Sequence, residues 1–298
     1  MDIRQLETFV EVVESKNFSK AAENLYLTQP TVSAHVNALE REFKVQLIKR
    51  TTKEFEVTEA GQELYDYALK ILNLKDKINE SLLGARGDLI KIGSSSAISM
   101  SDLPVLIKKF HQAMPGVKFE ITNSDSLDII NKVNDGLLEI GLVGTKVNDY
   151  NLQFIPFTED ELLFIMPKED QYKKIMTADN PLKEVLAKPF IMREDQSGTR
   201  NEILKYFSSS KVSLKDLNIV ASMSDPLSIL ESVRLGLGVS IISSKVVYAL
   251  NYEDLLLTCP LNRDKKRQFY ITCQREKYMS ILAKAFLDFL IKEYAIKI

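Results

Sequence analysis

The chain has 298 residues, of which 45% are hydrophobic and 27% charged, with a formal net charge of −2. This composition suits a globular chain of about two domains and excludes a disordered, fibrous or disulfide-stapled one. Bulk charge does not advertise nucleic-acid binding, so any such contact must come from a local basic patch.

No apolar run reaches the roughly 18 residues of a membrane span. Met1-Asp2-Ile3-Arg4-Gln5 lacks the basic and apolar regions of a secretory signal, so a cytoplasmic location without a membrane partner is expected. The two cysteines, Cys259 and Cys273, and the two histidines, His35 and His111, have no metal-ligand spacing. Both thiols are expected to be reduced and buried, and no metal or cofactor is expected.

Leu6, Phe9, Val10 and Val13 recur at helical spacing and predict a first helix with one apolar face. After Asn17-Phe18, Ser19 is a candidate N-cap for a second helix over Lys20–Leu25. Thr28 then caps a third, about Gln29 to Phe43, with Pro30 in the first turn, where its missing N–H costs nothing. Two short helices separated by Tyr26-Leu27-Thr28 have the form of a helix-turn-helix. A short β pair follows. From Thr58 to about Arg86 a long helix is expected, with Leu64, Ala68, Ile71, Lys75, Ile78 and Leu82 at spacings of four and three. One helix has nothing of its own to cover such a stripe, so a partner helix is implied. Gly84-Ala-Arg-Gly87 reads as a hinge.

From Leu89 onward, short apolar runs alternate with helical stretches. Strands are expected at 89–92, 117–122, 139–143, 162–166, 189–192, 219–222, 239–242 and 268–272. Helices are expected at 103–113, 126–134, 225–235 and 280–294. Such alternation predicts parallel sheets with covering helices in two α/β subdomains flanking a cleft.

Chemistry-bearing residues gather in two places. On the third helix Gln29, Thr31, Ser33, His35 and Asn37 lie away from the Val32, Val36 and Leu39 stripe, as a recognition helix entering the major groove requires. Arg41, Lys44, Lys49, Arg50 and Lys53 form a basic cluster suited to phosphates. By spacing alone these residues also suit a solvated face, and His35 suits helix packing. In the second half, Gly93-Ser94-Ser95-Ser96 follows a strand and precedes a helix beginning near Ser101. Met192-Arg-Glu-Asp-Gln-Ser-Gly-Thr-Arg200 follows another strand and opens a helix. Ser197, Thr199 and neighbouring N–H groups can face an anion with a helix dipole behind them, and Gly198 admits it to the backbone. Serine runs also occur as plain loops.

The run Leu6-Glu-Thr-Phe-Val-Glu-Val-Val, then Asn17-Phe-Ser-Lys-Ala-Ala-Glu-Asn-Leu25, Thr28-Gln-Pro-Thr-Val-Ser33, Leu39-Glu-Arg-Glu, Arg50 and Thr58-Glu-Ala-Gly61 resembles the N-terminal signature of LysR-type transcriptional regulators. The resemblance implies an α/β chain in three parts. A winged helix-turn-helix would span 1–58, a linker and dimerisation helix 59–88, and an effector domain like type 2 periplasmic binding proteins 89–298. Within the last, lobe I would cover about 89–162 and 268–298, and lobe II about 163–267. The implied DNA-contacting residues are Ser19, Thr28, Gln29, Pro30, Thr31, Ser33, His35, Asn37, Arg50 and Lys53. Lys44 stands where the family usually has Gly, and Ile48 where it usually has Phe, so the turn and wing depart from the pattern.

The Arg-Glu-x-x-Ser-Gly-Thr-Arg run is similar to regulators of cysteine biosynthesis, sulfur or selenium metabolism and carbon-fixation operons. By that resemblance Ser94, Ser95, Ser96, Thr145, Ser197, Gly198 and Thr199 would line a pocket for a small anionic effector, with Met223-Ser224 adjoining. The expected partners are double-stranded promoter DNA, that effector, and a second copy of the chain in a homodimer or homotetramer. No nucleophile elbow, phosphate-binding Gly-rich loop or His-Glu-x-x-His is present, so an enzyme is not expected. The remaining readings are a cytoplasmic small-anion-binding protein of the same fold without a regulatory role, and a scaffold whose N-terminal helices bind a protein.

Overall fold

In the computed structural model the described residues are 1–50, 55–83, 88–148, 151–176, 181–195, 197–262, 266–274 and 279–296. They form two compact units, Met1–Arg86 and Gly87–Ile298.

The first unit packs α1 (Ile3–Ser15), α2 (Phe18–Asn24) and α3 (Gln29–Phe43) around Leu6, Phe9, Val32, Val36 and Leu39, all essentially without exposure. Asp2 caps α1 in a reciprocal arrangement with Gln5. The cap of α2 is Asn17, not Ser19: Asn17 Oδ1 accepts from the N–H of Ser19 and of Lys20 at 2.9 and 3.1 Å. An amide oxygen one bond farther from the backbone satisfies two donors from outside the helix, and Ser19 is left exposed in its first turn. Thr28 caps α3, and Lys44 closes it in the left-handed conformation at φ 56°. Glycine enters that region without strain, so Lys44 is held there by its surroundings. A two-stranded antiparallel ribbon follows, β1 (Ile48–Arg50) and β2 (Phe55–Val57).

The long helix α4 (Glu59–Leu83) corrects the reading of its stripe. Leu64, Ala68 and Ile71 pack into the core of their own unit rather than awaiting a partner, and Lys75 pairs with Glu7 of α1 at 2.5 Å. The side chains left outward are Tyr67, Leu74 and Ile78, each about half exposed. Leu82, by its side chain, and Gly84–Gly87 lie outside the described residues.

The second unit has two five-stranded sheets. The first has the order β4 (Lys118–Asn123), β3 (Leu89–Ser94), β5 (Ile140–Val143), β12 (Arg267–Gln274), β6 (Leu152–Asp160). The second has the order β11 (Leu256–Pro260), β7 (Leu162–Pro167), β10 (Val239–Ser243), β8 (Pro189–Arg193), β9 (Asn218–Met223). Both are mixed rather than parallel, because β12 runs antiparallel to β5 and β6, and β7 runs antiparallel to β10 and β11. The chain passes between sheets at the β6–β7 junction and again from β11 to β12, and these returning strands must run against the βαβ direction. β6 and β11 have no counterpart among the expected strands. Leu152–Asp160 interrupts its apolar residues with Pro156, Glu159 and Asp160, so no strand is legible there until β12 pairs with it.

Helices α5 (Ser96–Met100), α6 (Asp102–Ala113), α7 (Ser126–Asn134) and α13 (Ile281–Glu293) flank the first sheet. Helices α8 (Asp170–Met176), α9 (Pro181–Leu186), α10 (Gly198–Ser209), α11 (Pro226–Arg234) and α12 (Ser244–Ala249) belong with the second. The helix expected near Ser101 is α6, with Ser101 at its N-cap, and the short α5 precedes it without a counterpart among the expected helices. Asp225 caps α11, accepting from Ser228 N. Cys273 is buried as expected, but Cys259 is only half-buried.

Candidate functional site

Two sites emerge, one in each unit. In the first, burial of Val32, Val36 and Leu39 fixes which face of α3 points outward. Thr28, Gln29 and Pro30 are exposed at its N-terminus, and Thr31, Ser33 and Asn37 are half-buried along it. Gln29 Nε2 donates to Ser33 Oγ at 3.2 Å one turn on, and Thr28 and Thr31 share a hydroxyl contact of 2.8 Å. His35 sits differently: its Nδ1 lies 2.8 Å from Oγ1 of the buried Thr8, tying α3 to α1. In the basic cluster, Lys49 pairs with Glu56 across the ribbon at 3.2 Å. Arg50 ends β1, and its side chain, like the whole of Lys53, lies outside the described residues.

In the second unit, a cleft of about 30 Å³ opens between the sheets. That is room for more than one water. One wall carries Ser95, Ser96, Ser124, Asp125, Ser126, Gly144, Arg267 and Phe269, and the other carries Arg193, Glu194, Ser197, Gly198 and Thr199. The N-termini of α5, α7 and α10 converge there. Asp125 closes α7 by accepting from Leu127 N and Asp128 N. Ser95 and Ser197 stand at the N-caps of α5 and α10 without a side-chain capping bond, which leaves the first N–H groups to other acceptors. A Cβ added at Gly198 would lie 3.5 Å from Ser126 Oγ, an ordinary contact and not a clash.

The charges are nearly balanced. Arg193, 5% exposed, donates from Nε and Nη2 to both oxygens of Glu194 at 2.9 Å. Arg200 is turned back to the Arg193 carbonyl and to Asp195. Arg267, with a side chain 7% exposed, donates from Nε to Asp160 Oδ2 at 2.6 Å and from Nη1 to Thr199 Oγ1 at 3.1 Å, across the cleft. Its carbon Cζ lies 4.8 Å from the Phe269 ring centre. Asp160 is fully buried, and its Oδ1 accepts from Ser243 Oγ, Ser244 Oγ and Lys245 N. Arg267 Nη2 touches Asp160 Oδ2 at 2.6 Å but off the hydrogen-bond direction. With Ser95 Oγ it is a buried polar atom lacking a hydrogen-bond partner among the described residues.

Of the residues expected here, Ser95, Ser96, Ser197, Gly198 and Thr199 come together. Ser94 is buried at the end of β3, and Thr145 is half-buried beside Gly144, neither on the cleft wall. Ser224 is not on the wall either. The Ser124–Ser126 corner carried a legible signal, a strand end followed by Asx and Ser before an apolar-periodic stretch. Arg267 carried none, because Lys265-Lys266-Arg267 reads as a surface basic run. Among the described residues no group of His, Cys, Asp and Glu can hold a metal ion, and no helix is long and apolar enough to cross a membrane.

Residues 3–62 match the family model of bacterial regulatory helix-turn-helix proteins of the lysR family, and residues 84–295 match the LysR substrate binding domain. A HTH-type transcriptional regulator of Methanocaldococcus jannaschii, itself uncharacterised, is 32% identical, covering 97% of this chain and 98% of its own. The regulator CysL of Bacillus subtilis is 28% identical over 94% and 98%. Among solved structures, full-length CbnR in complex with its target DNA superposes with a TM-score of 0.72 at 19% identity, covering 98% of this chain and 99% of that one. The regulatory domain of Synechocystis CcmR in complex with 2-PG gives 0.60 at 20% identity, covering 69% and 97%. With both models matched and the relatives aligned end to end, the chain belongs to the LysR family of DNA-binding transcriptional regulators, built from a helix-turn-helix domain and an effector-binding domain and not an enzyme.

Proposed function

We propose that this regulator acts in the cytoplasm, reads a promoter operator with α3, and responds to a small oxyanion or small organic anion held between the lobes. Gln29, Pro30, Thr31 and Ser33 contact base edges and phosphates, with Thr28, Ser19 and Asn37 beside them and Arg50 and Lys53 on the flanking backbone. His35 serves chiefly to fix α3 on α1. Two copies associate through the outward Tyr67, Leu74 and Ile78 of α4, whose spacing of seven and four suits a helix pair. Each dimer presents two recognition helices to one pseudo-palindromic site, and a tetramer spans two such sites.

One observation carries the effector reading. The helix starts at Ser95 and Ser197 leave donors uncapped at a cleft where Ser95 Oγ and, apart from its ion pair with Asp160, Arg267 Nη2 lack hydrogen-bond partners among the described residues. Buried donors without acceptors are costly, and an anion supplies acceptors to several at once. The cleft's small volume favours a compact ligand, and a sulfur- or selenium-related oxyanion suits it, as does a small carboxylate. Because Thr199 Oγ1 is bonded across the cleft to Arg267, an anion there bears on both lobes, and it shifts their closure only by binding one arrangement more tightly.

The test is a thermal-shift screen against sulfate, thiosulfate, selenite, phosphate, O-acetylserine and small carboxylates. A ligand present at about 100 times its Kd stabilises the native state by about 2.7 kcal/mol and raises Tm visibly. Absence of any shift across the panel would remove the anion reading and leave the serine-rich helix starts as structure.

A further inference from the structure

The turn from α3 to β1 is gripped from two sides. Leu47 and Ile48 are each 1% exposed, and their N–H groups both donate to one oxygen of Glu40, Oε1, at 2.9 and 3.2 Å. Glu40 lies on α3, one turn before its end. On the other side, the Leu47 carbonyl accepts from Thr58 N at 3.0 Å and from Thr58 Oγ1 at 3.1 Å, and Thr58 Oγ1 also reaches the Gln46 carbonyl at 2.6 Å. Thr58 is in turn the cap of α4, accepting from Gly61 N at 3.0 Å. A Cβ on Gly61 would stand 2.1 Å from Leu47 O, so α4 lies directly against this peptide. The Leu47 peptide is therefore held at its N–H by the recognition helix and at its carbonyl by the start of the linker helix. Strand β1 departs from that point and ends at Arg50, and Lys44 closes α3 in the left-handed region just before the turn.

We propose that Glu40 is a positioning residue for DNA recognition. It touches no DNA itself, and it fixes the β1–β2 ribbon at a set angle to α3 through the Leu47 and Ile48 amides, so that Arg50 meets the phosphates flanking the groove that α3 occupies. A carboxylate is suited to the task because a single oxygen with two lone-pair directions accepts two adjacent backbone donors, as an N-cap does. Its negative charge, near the phosphates, opposes binding by itself, so the geometric and the electrostatic effects of removing it have opposite signs.

The experiment uses the full-length protein and a duplex that it selects from a random pool, with a scrambled duplex as the non-specific reference. Glu40→Ala weakens binding to the selected duplex about tenfold, the scale of losing one charge-assisted contact, and leaves binding to the scrambled one equal or tighter. Glu40→Gln removes the same charge but keeps an acceptor oxygen, and binds the selected duplex within about twofold of the parent. Arg50→Ala alone weakens it about tenfold, and the pair Glu40→Ala with Arg50→Ala weakens it no further, because both act through one contact. The proposal is overturned if the two Glu40 variants behave alike, if the double variant loses the product of the single losses, or if Glu40→Ala binds as the parent does. Where circular dichroism shows Glu40→Ala unfolded, Thr58→Ala, with Thr58→Ser as its rescue, is read against Arg50→Ala by the same criteria.

Discussion

Asp160→Ala should be the most damaging single change in the effector-binding unit. Asp160 has no exposed side-chain surface and accepts from four groups: Arg267 Nε, Ser243 Oγ, Ser244 Oγ and Lys245 N. Truncation leaves a guanidinium that is 7% exposed without its counter-charge, and three donors without an acceptor. Removing one partner of a buried pair costs about 3–5 kcal/mol, because the remaining charge stays desolvated. For a unit of this size each kcal/mol moves Tm by about 2–4 °C, so a fall of about 10 °C is expected. The assay is thermal unfolding of the full-length protein followed by far-UV circular dichroism. Replacing both partners, Asp160→Leu with Arg267→Met, should recover part of the loss, since no buried charge remains. A fall worth less than about 1 kcal/mol, typical of an exposed pair, would refute the assignment of a desolvated ion pair at the lobe junction.

Three further expectations follow from single contacts. Thr199→Val removes the hydroxyl that faces both the cleft and Arg267, so it should abolish the anion-induced thermal shift while operator affinity in a gel-shift titration stays at the parent level; an undiminished shift would count against the pocket. Asn17→Ala should cost about 1 kcal/mol of stability in denaturant unfolding and Ser19→Ala less than about 0.5, because only Asn17 closes α2. Burial, the Glu14 charge and the hydrogen bond to Glu14 raise Tyr65 from its ordinary 10 to about 12. Since the folded value lies above the unfolded one, this contribution to stability is complete below pH 10 and is lost as pH rises through about 12, and an ultraviolet phenolate titration that places Tyr65 at 10 would refute it.

The helix-turn-helix was legible because each of its decisions is local. Leu6, Phe9, Val32, Val36 and Leu39 mark the buried faces by spacing, and Thr28 with Pro30 marks the start of α3. Ser19 was misleading because Asn17, two residues earlier, reaches the same donors. The same locality exposed half of the cleft. Ser95 and Ser197 follow strands and precede helices, with Thr199 in the first turn of α10, a pattern that a βαβ chain repeats at its strand ends.

The other half was decided only in three dimensions. Arg267 and Asp160 are 107 positions apart and meet because β12 lies beside β6, a pairing that no periodicity announces. The mixed direction of both sheets follows from the two passages between lobes. The stripe on α4 illustrates the limit most plainly. Sequence established that Leu64, Ala68 and Ile71 share an apolar face, but hydrophobic burial has no direction, and only the packing of α1 decided that their own unit covers them while Tyr67, Leu74 and Ile78 remain outward.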